Sequence, residues 1–244
     1  MGDLDEKVAV VSGSSSGIGE ATARRLAAEG AHVVVNSASS VDAGQALADE
    51  LDGAIYVRAD VSDEGQAISL VRAALDEWSR LDIVVNNAGW TKVIPHHDLD
   101  AVTDEVFRKI LDVNLFGTWY LTRAAMPHLE ASGDGVVVNV TSLAGVRPVG
   151  SSVPYAVSKA AINHLTLLLA NVSGPEVRVN AVAPGLVATP WTDDWDSMHS
   201  AVAATAPLGR SATAGDVAEV IMGLVRSSYV TGEVVVVDGG LGLR

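Results

Sequence analysis

The stretch "VAVVSGSSSGIGE" (residues 8–20) sets an apolar run of strand length against three glycines and four serines. A loop of small residues between a strand and a helix is either an ordinary turn or a cradle for phosphate. In the second case, backbone N–H groups and the positive end of the helix dipole face a pyrophosphate. The spacing is G-x-x-x-G-x-G: Gly13 permits the tight turn, Gly17 lets backbone approach the phosphates, and Gly19 allows close helix–strand packing. On this reading Ser15, Ser16 and Ile18 belong to the same loop site.

Working outward, the same alternation continues to the end of the chain. "AHVVVN" (31–36), "AIYV" (54–57), "LDIVVN" (81–86), "GVVVNVT" (135–141), "VRVNAV" (177–182) and "EVVVVD" (233–238) read as further strands after a first over 7–12. Helix-period segments lie over 17–29, 41–51, 63–78, 102–131, 154–172 and 214–226. Near-continuous valine runs imply strands buried on both faces. Strand–helix alternation then predicts an α/β fold: a Rossmann-type, doubly wound, seven-stranded parallel sheet with helices on both faces. Residues 1–244 contain no repeat, linker or low-complexity block and read as one dinucleotide-binding domain. The long irregular stretch 183–213 is the place to look for function.

Composition narrows the class. At 244 residues, 48% hydrophobic and 19% charged, the chain can bury a sizeable core. It has no cysteine, which excludes a disulfide framework and a thiolate metal site. The net charge of −14 argues against nucleic acid as a partner and against tight docking of an acidic carrier protein. The acidic start "MGDLDEKVAV" is not a signal peptide, and the longest uncharged run, 160–175, is too short to span a bilayer. A cytoplasmic protein with no membrane partner is expected. His96 and His97 have no metal-ligand spacing around them, and no metal is expected.

Further motifs follow in order. Asp60-Val61 follows the third strand, "NNAG" (86–89) the fourth, and Asn114 lies in "DVNLFG". Ser142 ends the fifth strand, and "YAVSK" sets Tyr155 and Lys159 four apart, on one helix face. "PG" (184–185) follows the sixth strand, and "TGEVVVVDGG" closes the chain. Together with the glycine loop, this set resembles the short-chain dehydrogenase/reductase family over essentially the whole chain, in its 3-oxoacyl-reductase-like carbonyl reductase branch.

The resemblance implies an NAD(P)-dependent oxidoreductase interconverting a ketone and a secondary alcohol. Free tyrosine, with a pKa near 10, is a poor acid or base at neutral pH, and a neighbouring ammonium lowers that value. Tyr155 beside Lys159 is therefore expected to be the general acid/base. Ser142 would donate to the substrate oxygen as charge develops there. In the family, Asn114 holds a water linking the lysine to solvent; the plainer reading is an asparagine satisfied by backbone. Lys159 resembles the residue that also binds the nicotinamide ribose. Asp60 would accept from the adenine amino group, or instead cap the next helix, and Val61 would pack beside the ring. Asn87, Ala88, Gly89, Pro184 and Gly185 would line the cofactor cleft, and Val187 and Thr189 would hold the carboxamide and nearby phosphate.

An acid at the end of strand two would favour NAD by binding the ribose 2′-hydroxyl. Here Asn36-Ser37-Ala38-Ser39-Ser40 stands instead, with no acid before Asp42. The arginine common in NADP-preferring relatives is also missing, since Ser16 and Ser37 occupy its usual positions. The reading favours NADP(H), with NAD(H) as the alternative, and gives the 2′-phosphate to Asn36 and Ser37.

The substrate walls are expected from Trp90, Leu143, Ala144, Val149 and a lid over about 186–207 that carries Trp191, Trp195 and Met198. Asp193, Asp194 and Asp196 in that lid point to a neutral, partly hydrophobic small-molecule ketone or alcohol. The rival readings are a 3-oxoacyl-carrier-protein reductase and a non-catalytic dinucleotide-binding sensor. Helices 102–131 and 154–172 resemble those that pair in family dimers and tetramers, so a homotetramer or homodimer is expected.

Overall fold

Valine-rich runs become strands throughout the computed structural model, which describes residues 4–243. In chain order the first half comprises β1 (Val8–Val11), α1 (Gly17–Ala28), β2 (His32–Ser37), α2 (Val41–Glu50), β3 (Ala54–Arg58), α3 (Glu64–Trp78) and β4 (Ile83–Asn86). Then come α4 (Asp104–Leu111), a π-helical turn (Asp112–Phe116), α5 (Gly117–Ser132), β5 (Gly135–Val140), α6 (Val153–Ser173) and β6 (Val177–Pro184). The last part holds β7 (Val187–Ala188), α7 (Asp196–Thr205), β8 (Ala212–Thr213), α8 (Ala214–Arg226) and β9 (Val234–Val237).

Seven strands pair in the order β3-β2-β1-β4-β5-β6-β9, all parallel, as expected. The two-residue strands β7 and β8 pair apart from this sheet. Side chains alternate across each strand. Ala9, Val11, Val33, Val35, Val85 and Val138 therefore face one core, under Leu26 of α1 and Ile221 and Met222 of α8. Val8, Val10, Val34, Val84 and Val137 face the other, under Leu70 of α3 and Leu121 and Leu129 of α5. Full burial of each such side chain is worth roughly 1.5–3 kcal/mol. The strand order reverses at β1 and β4, which opens a crevice above their carboxyl ends.

Two expectations change. The helix expected over 102–131 is interrupted: the π turn at Asp112–Phe116 separates α4 from α5. Its widened hydrogen bonding accommodates one extra residue without breaking the apolar pattern, so nothing in the periodicity announces it. The stretch expected to be irregular, 183–213, contains the ten-residue helix α7 and both short strands. None of the residues of α7 is buried, so it lacks the apolar stripe by which a helix is recognised.

Candidate active site

The glycine loop is built as a tight wrap around β1. Gly13 has φ +62°, and a Cβ there would sit 2.9 Å from the Ala88 Cα. Gly19 is packed closer still: its Cβ would lie 2.5 Å from both Asn87 Nδ2 and the Gly13 carbonyl oxygen. Of the four serines, two are internal struts. The Ser14 hydroxyl donates to Val11 O at 2.7 Å, and the Ser12 hydroxyl oxygen accepts from the N–H groups of Asn87 and Ala88. Ser15 and Ser16 line the cleft instead. Ser16 precedes α1 yet makes no side-chain bond to its first turn, which leaves the amino end of that helix directed at the crevice. An anion fits there.

At the end of β2 the structure corrects the expectation for Asn36. Its side chain is buried; Oδ1 accepts from Gly13 N–H at 3.0 Å, and Nδ2 donates to the carbonyls of Val57 and Ala59. Both amide hydrogens are occupied, so Asn36 ties the loop to the sheet and has no side-chain donor left for a phosphate. The Ser37 hydroxyl is 2.8 Å from the Tyr56 hydroxyl. Asp60 does not cap α3. Its Oδ1 accepts from the N–H and hydroxyl of Ser62, whereas Asp63 caps the helix by accepting from Gln66 N–H. Val61 packs against Gly117.

Tyr155 and Lys159 lie in the first two turns of α6, opposite Ser142 just beyond β5. Lys159 is buried, its Nζ donates to Val140 O at 2.9 Å, and burial lowers its pKa to about 8. Burial raises the Tyr155 phenol above its ordinary value, and the hydrogen bond with the Ser142 hydroxyl works in the opposite direction. The expected lowering of Tyr155 by Lys159 is absent from this arrangement. The ammonium is directed at the Val140 carbonyl and stands 5.7 Å from the phenol ring centroid.

Asn114, at the centre of the π turn, is fully buried and saturated. Its Oδ1 accepts from Trp90 N–H at 2.7 Å, and its Nδ2 donates to Trp90 O and to Ser158 Oγ. Ser158 in turn donates to the Tyr155 carbonyl at 2.7 Å. Asn114 therefore clamps the β4 loop to α6 through its side chain, in line with the plainer reading, and does not line the cleft. That clamp also moves Trp90. Its indole packs beside Ile94, Val106 and Ile110 with Lys109 Nζ 4.2 Å above the ring, and not on the substrate wall as expected.

The other catalytic, cofactor and substrate residues named from sequence, and Asn36 with them, line one cleft of about 770 Å³, apart from Gly19 packed beneath it. Its inner end carries the glycine loop, Asn87 to Gly89 and Pro184 to Thr189; its outer end carries Leu143, Ala144, Val149, Trp191, Trp195 and Met198. Trp191 reaches across: its Cη2 is 3.5 Å from where a Cβ on Gly89 would lie. Sequence reasoning missed Ala201 and Val202 of α7 and Leu241 near the chain end, which complete the apolar wall. The apolar character of "AVAAT" was the available signal, but α7 itself had to be seen to aim it.

The chain that lines this cleft with Ser142, Tyr155 and Lys159 matches a family profile described as "Enoyl-(Acyl carrier protein) reductase" over residues 13–242. The chain belongs to the short-chain dehydrogenase/reductase family. It is 58% identical to a Streptomyces violaceoruber protein provisionally named ketoacyl reductase 2 of the granaticin polyketide synthase, over 96% of this chain and 95% of that one. It is 38% identical to the cis-4-hydroxycyclohexanecarboxylate dehydrogenase of Sinomonas cyclohexanicum, with 96% of each chain covered. A solved short-chain dehydrogenase/reductase from Mycobacterium ulcerans superimposes with TM-score 0.92 at 31% identity, covering 99% of this chain and 91% of that one. This short-chain dehydrogenase/reductase is thus an oxidoreductase acting on a CH–OH group of a small molecule, and its family implies an NAD(P) cofactor. Among the described residues, no helix is long and apolar enough to cross a membrane.

Proposed function

We propose that this reductase interconverts a ketone and a secondary alcohol, with NADP(H) preferred to NAD(H). The observation that carries the reading is the convergence of Ser142, Tyr155 and Lys159 on the floor of a cleft whose outer walls are apolar. The substrate carbonyl oxygen lies between the Ser142 and Tyr155 hydroxyls; Tyr155 transfers the proton to it and Ser142 steadies the developing charge by donating a hydrogen bond. Lys159 contributes its positive charge, and Asn114 and Ser158 fix the α6 turn that presents Tyr155. Bound nicotinamide dinucleotide supplies or takes up the hydride. The cleft residues fit it, since the amino end of α1 faces the crevice with no side-chain cap from Ser16. Replacing Tyr155 with Phe should lower turnover by about 10²- to 10⁴-fold while dinucleotide binding, followed by fluorescence titration, persists. Near-normal turnover in that variant would overturn the assignment.

A second reading is a 3-oxoacyl thioester substrate, favoured by the granaticin relative and by the 3-oxoacyl-acyl-carrier-protein reductase of Thermotoga maritima, 35% identical over 98% of both chains. The charge of −14 and the exposed Asp193 and Asp194 of the lid count against delivery by an acidic carrier. Rates on a free ketone, a small 3-oxoacyl thioester and the same acyl group on carrier protein separate the two. A clear advantage on carrier would favour the second.

We assign residues 186–207 as a lid over the substrate, and a homodimer or homotetramer as the assembly. Supporting the assembly, α6 presents the exposed apolar residues Val157, Leu167, Leu168 and Val172 on its outer side.

A further inference from the structure

A 2′-phosphate in a protein of charge −14 needs a local cation, and the residues that follow β2 do not provide one. Asn36 is turned inward with both amide hydrogens occupied, and Ser37 is paired with Tyr56. Among the residues that line the cleft, Lys159 is the sole cation, and it sits at the opposite end with its ammonium on Val140 O.

The neighbouring edge strand supplies what is missing. In the parallel register of β2 and β3, Ser37 stands opposite Arg58, the last residue of β3. The Arg58 side chain is exposed and folds over the end of β2, donating from Nε to Ala38 O at 3.2 Å. Ala38 belongs to the run Ser37–Ser40 that walls this end of the cleft. Nε is thereby anchored, while among the described residues Nη1 and Nη2 have no hydrogen-bond or ion-pair partner. Asp60, two residues on from Arg58, has its Oδ1 held by Ser62.

Resting on the NADP(H) reading above, we infer that Arg58 is the residue that selects NADP(H), its anchored guanidinium presenting two Nη donor groups to a ribose 2′-phosphate bound beside Ser37–Ser40. A guanidinium fork suits phosphate better than a hydroxyl does, because several N–H donors meet several anionic oxygens at once. The fixed Nε contact reduces the side-chain freedom lost on binding. The cation thus comes from β3, twenty-one residues beyond Ser37 along the chain, and not from the loop after β2.

Calorimetric titration of NADPH, NADH, 2′,5′-ADP and 5′-AMP into the unmodified protein, Arg58→Gln and Arg58→Lys tests this. Arg58→Gln should weaken NADPH and 2′,5′-ADP by about 10- to 100-fold and leave NADH and 5′-AMP within about twofold. Arg58→Lys should recover part of the loss. Added salt should erode NADPH affinity in the unmodified protein more than in Arg58→Gln. An Arg58→Gln protein that keeps its full preference for NADPH overturns the role of Arg58 while leaving the cofactor reading intact. An unmodified protein with no preference for NADPH over NADH, or for 2′,5′-ADP over 5′-AMP, overturns the cofactor reading itself.

Discussion

Burial of the Lys159 ammonium has a cost that shows in the pH dependence of stability. In the folded chain its pKa falls to about 8 because burial disfavours the charged form, and among the described residues the Val140 carbonyl is its one hydrogen-bond partner. A depressed lysine pKa means that the unfolded chain binds the extra proton between about pH 8 and the ordinary value of 10.5. Stability therefore rises across that window, and the full penalty applies below it. Lys159→Met should be more stable than the unmodified protein by about 1–3 kcal/mol at pH 7, and the gain should shrink as pH rises through the window. Urea unfolding at several pH values measures it, and turnover should be lost in the same variant. A destabilised Lys159→Met at pH 7 would mean that the Val140 contact outweighs burial. A residue kept at the expense of stability suits a chemical role better than a structural one.

At the scale of elements, two segments near the cleft differ in how they are held. The π turn at Asp112–Phe116 is locked from within: Asn114 satisfies the Trp90 backbone on one side and Ser158 on the other, with Asn114 and Ser158 fully buried. Helix α7, in the segment proposed as a lid, is the opposite case. It buries no residue, and side-chain bonds of His199 tie it down: Nδ1 to Ser211 Oγ at 2.8 Å and Nε2 to Thr192 O at 3.2 Å. Those contacts join α7 to the segments on either side of it, before and after the helix. Local stability follows the number of such ties. His199→Ala should speed proteolysis and amide exchange within about residues 190–205 while shifting global unfolding by no more than about 1 kcal/mol. Limited digestion followed by mass spectrometry checks it. A global loss of stability with no local change would show that His199 belongs to the core of the fold and does not act locally on α7.

On the whole-molecule scale, charge and apolar surface are distributed unevenly. The charge of −14 favours solubility and repels acidic partners, yet the outer side of α6 keeps Leu168 at 54% and Val172 at 74% exposure. On a chain otherwise rich in acids, such a strip is a natural seat for a second copy of the same helix. Leu168→Glu should shift the sedimentation coefficient towards that of a 25.2 kDa monomer without changing the helical content by circular dichroism. An unmodified protein that already sediments as a monomer would sink the assembly reading.

Much was legible in the sequence because it is written locally. Valine runs, helical periods and the G-x-x-x-G-x-G loop depend on residues a few positions apart, and they placed the seven strands and the loop beside the cleft, whereas Ser142, Tyr155 and Lys159 were named through the resemblance of the ordered motifs to the family. What only the tertiary structure decided was the direction of side chains whose partners lie on another element. Asn36 looked like a phosphate ligand until β3 offered it the carbonyls of Val57 and Ala59. Trp90 looked like a substrate wall until Asn114, twenty-four residues on, clamped its backbone. Arg58 lies just past the strand expected over 54–57 and drew no notice in the sequence; the β2–β3 register sets it opposite Ser37. Period and composition settle which element a residue joins; strand register and helix packing, set by contacts distant in the chain, settle what its side chain meets.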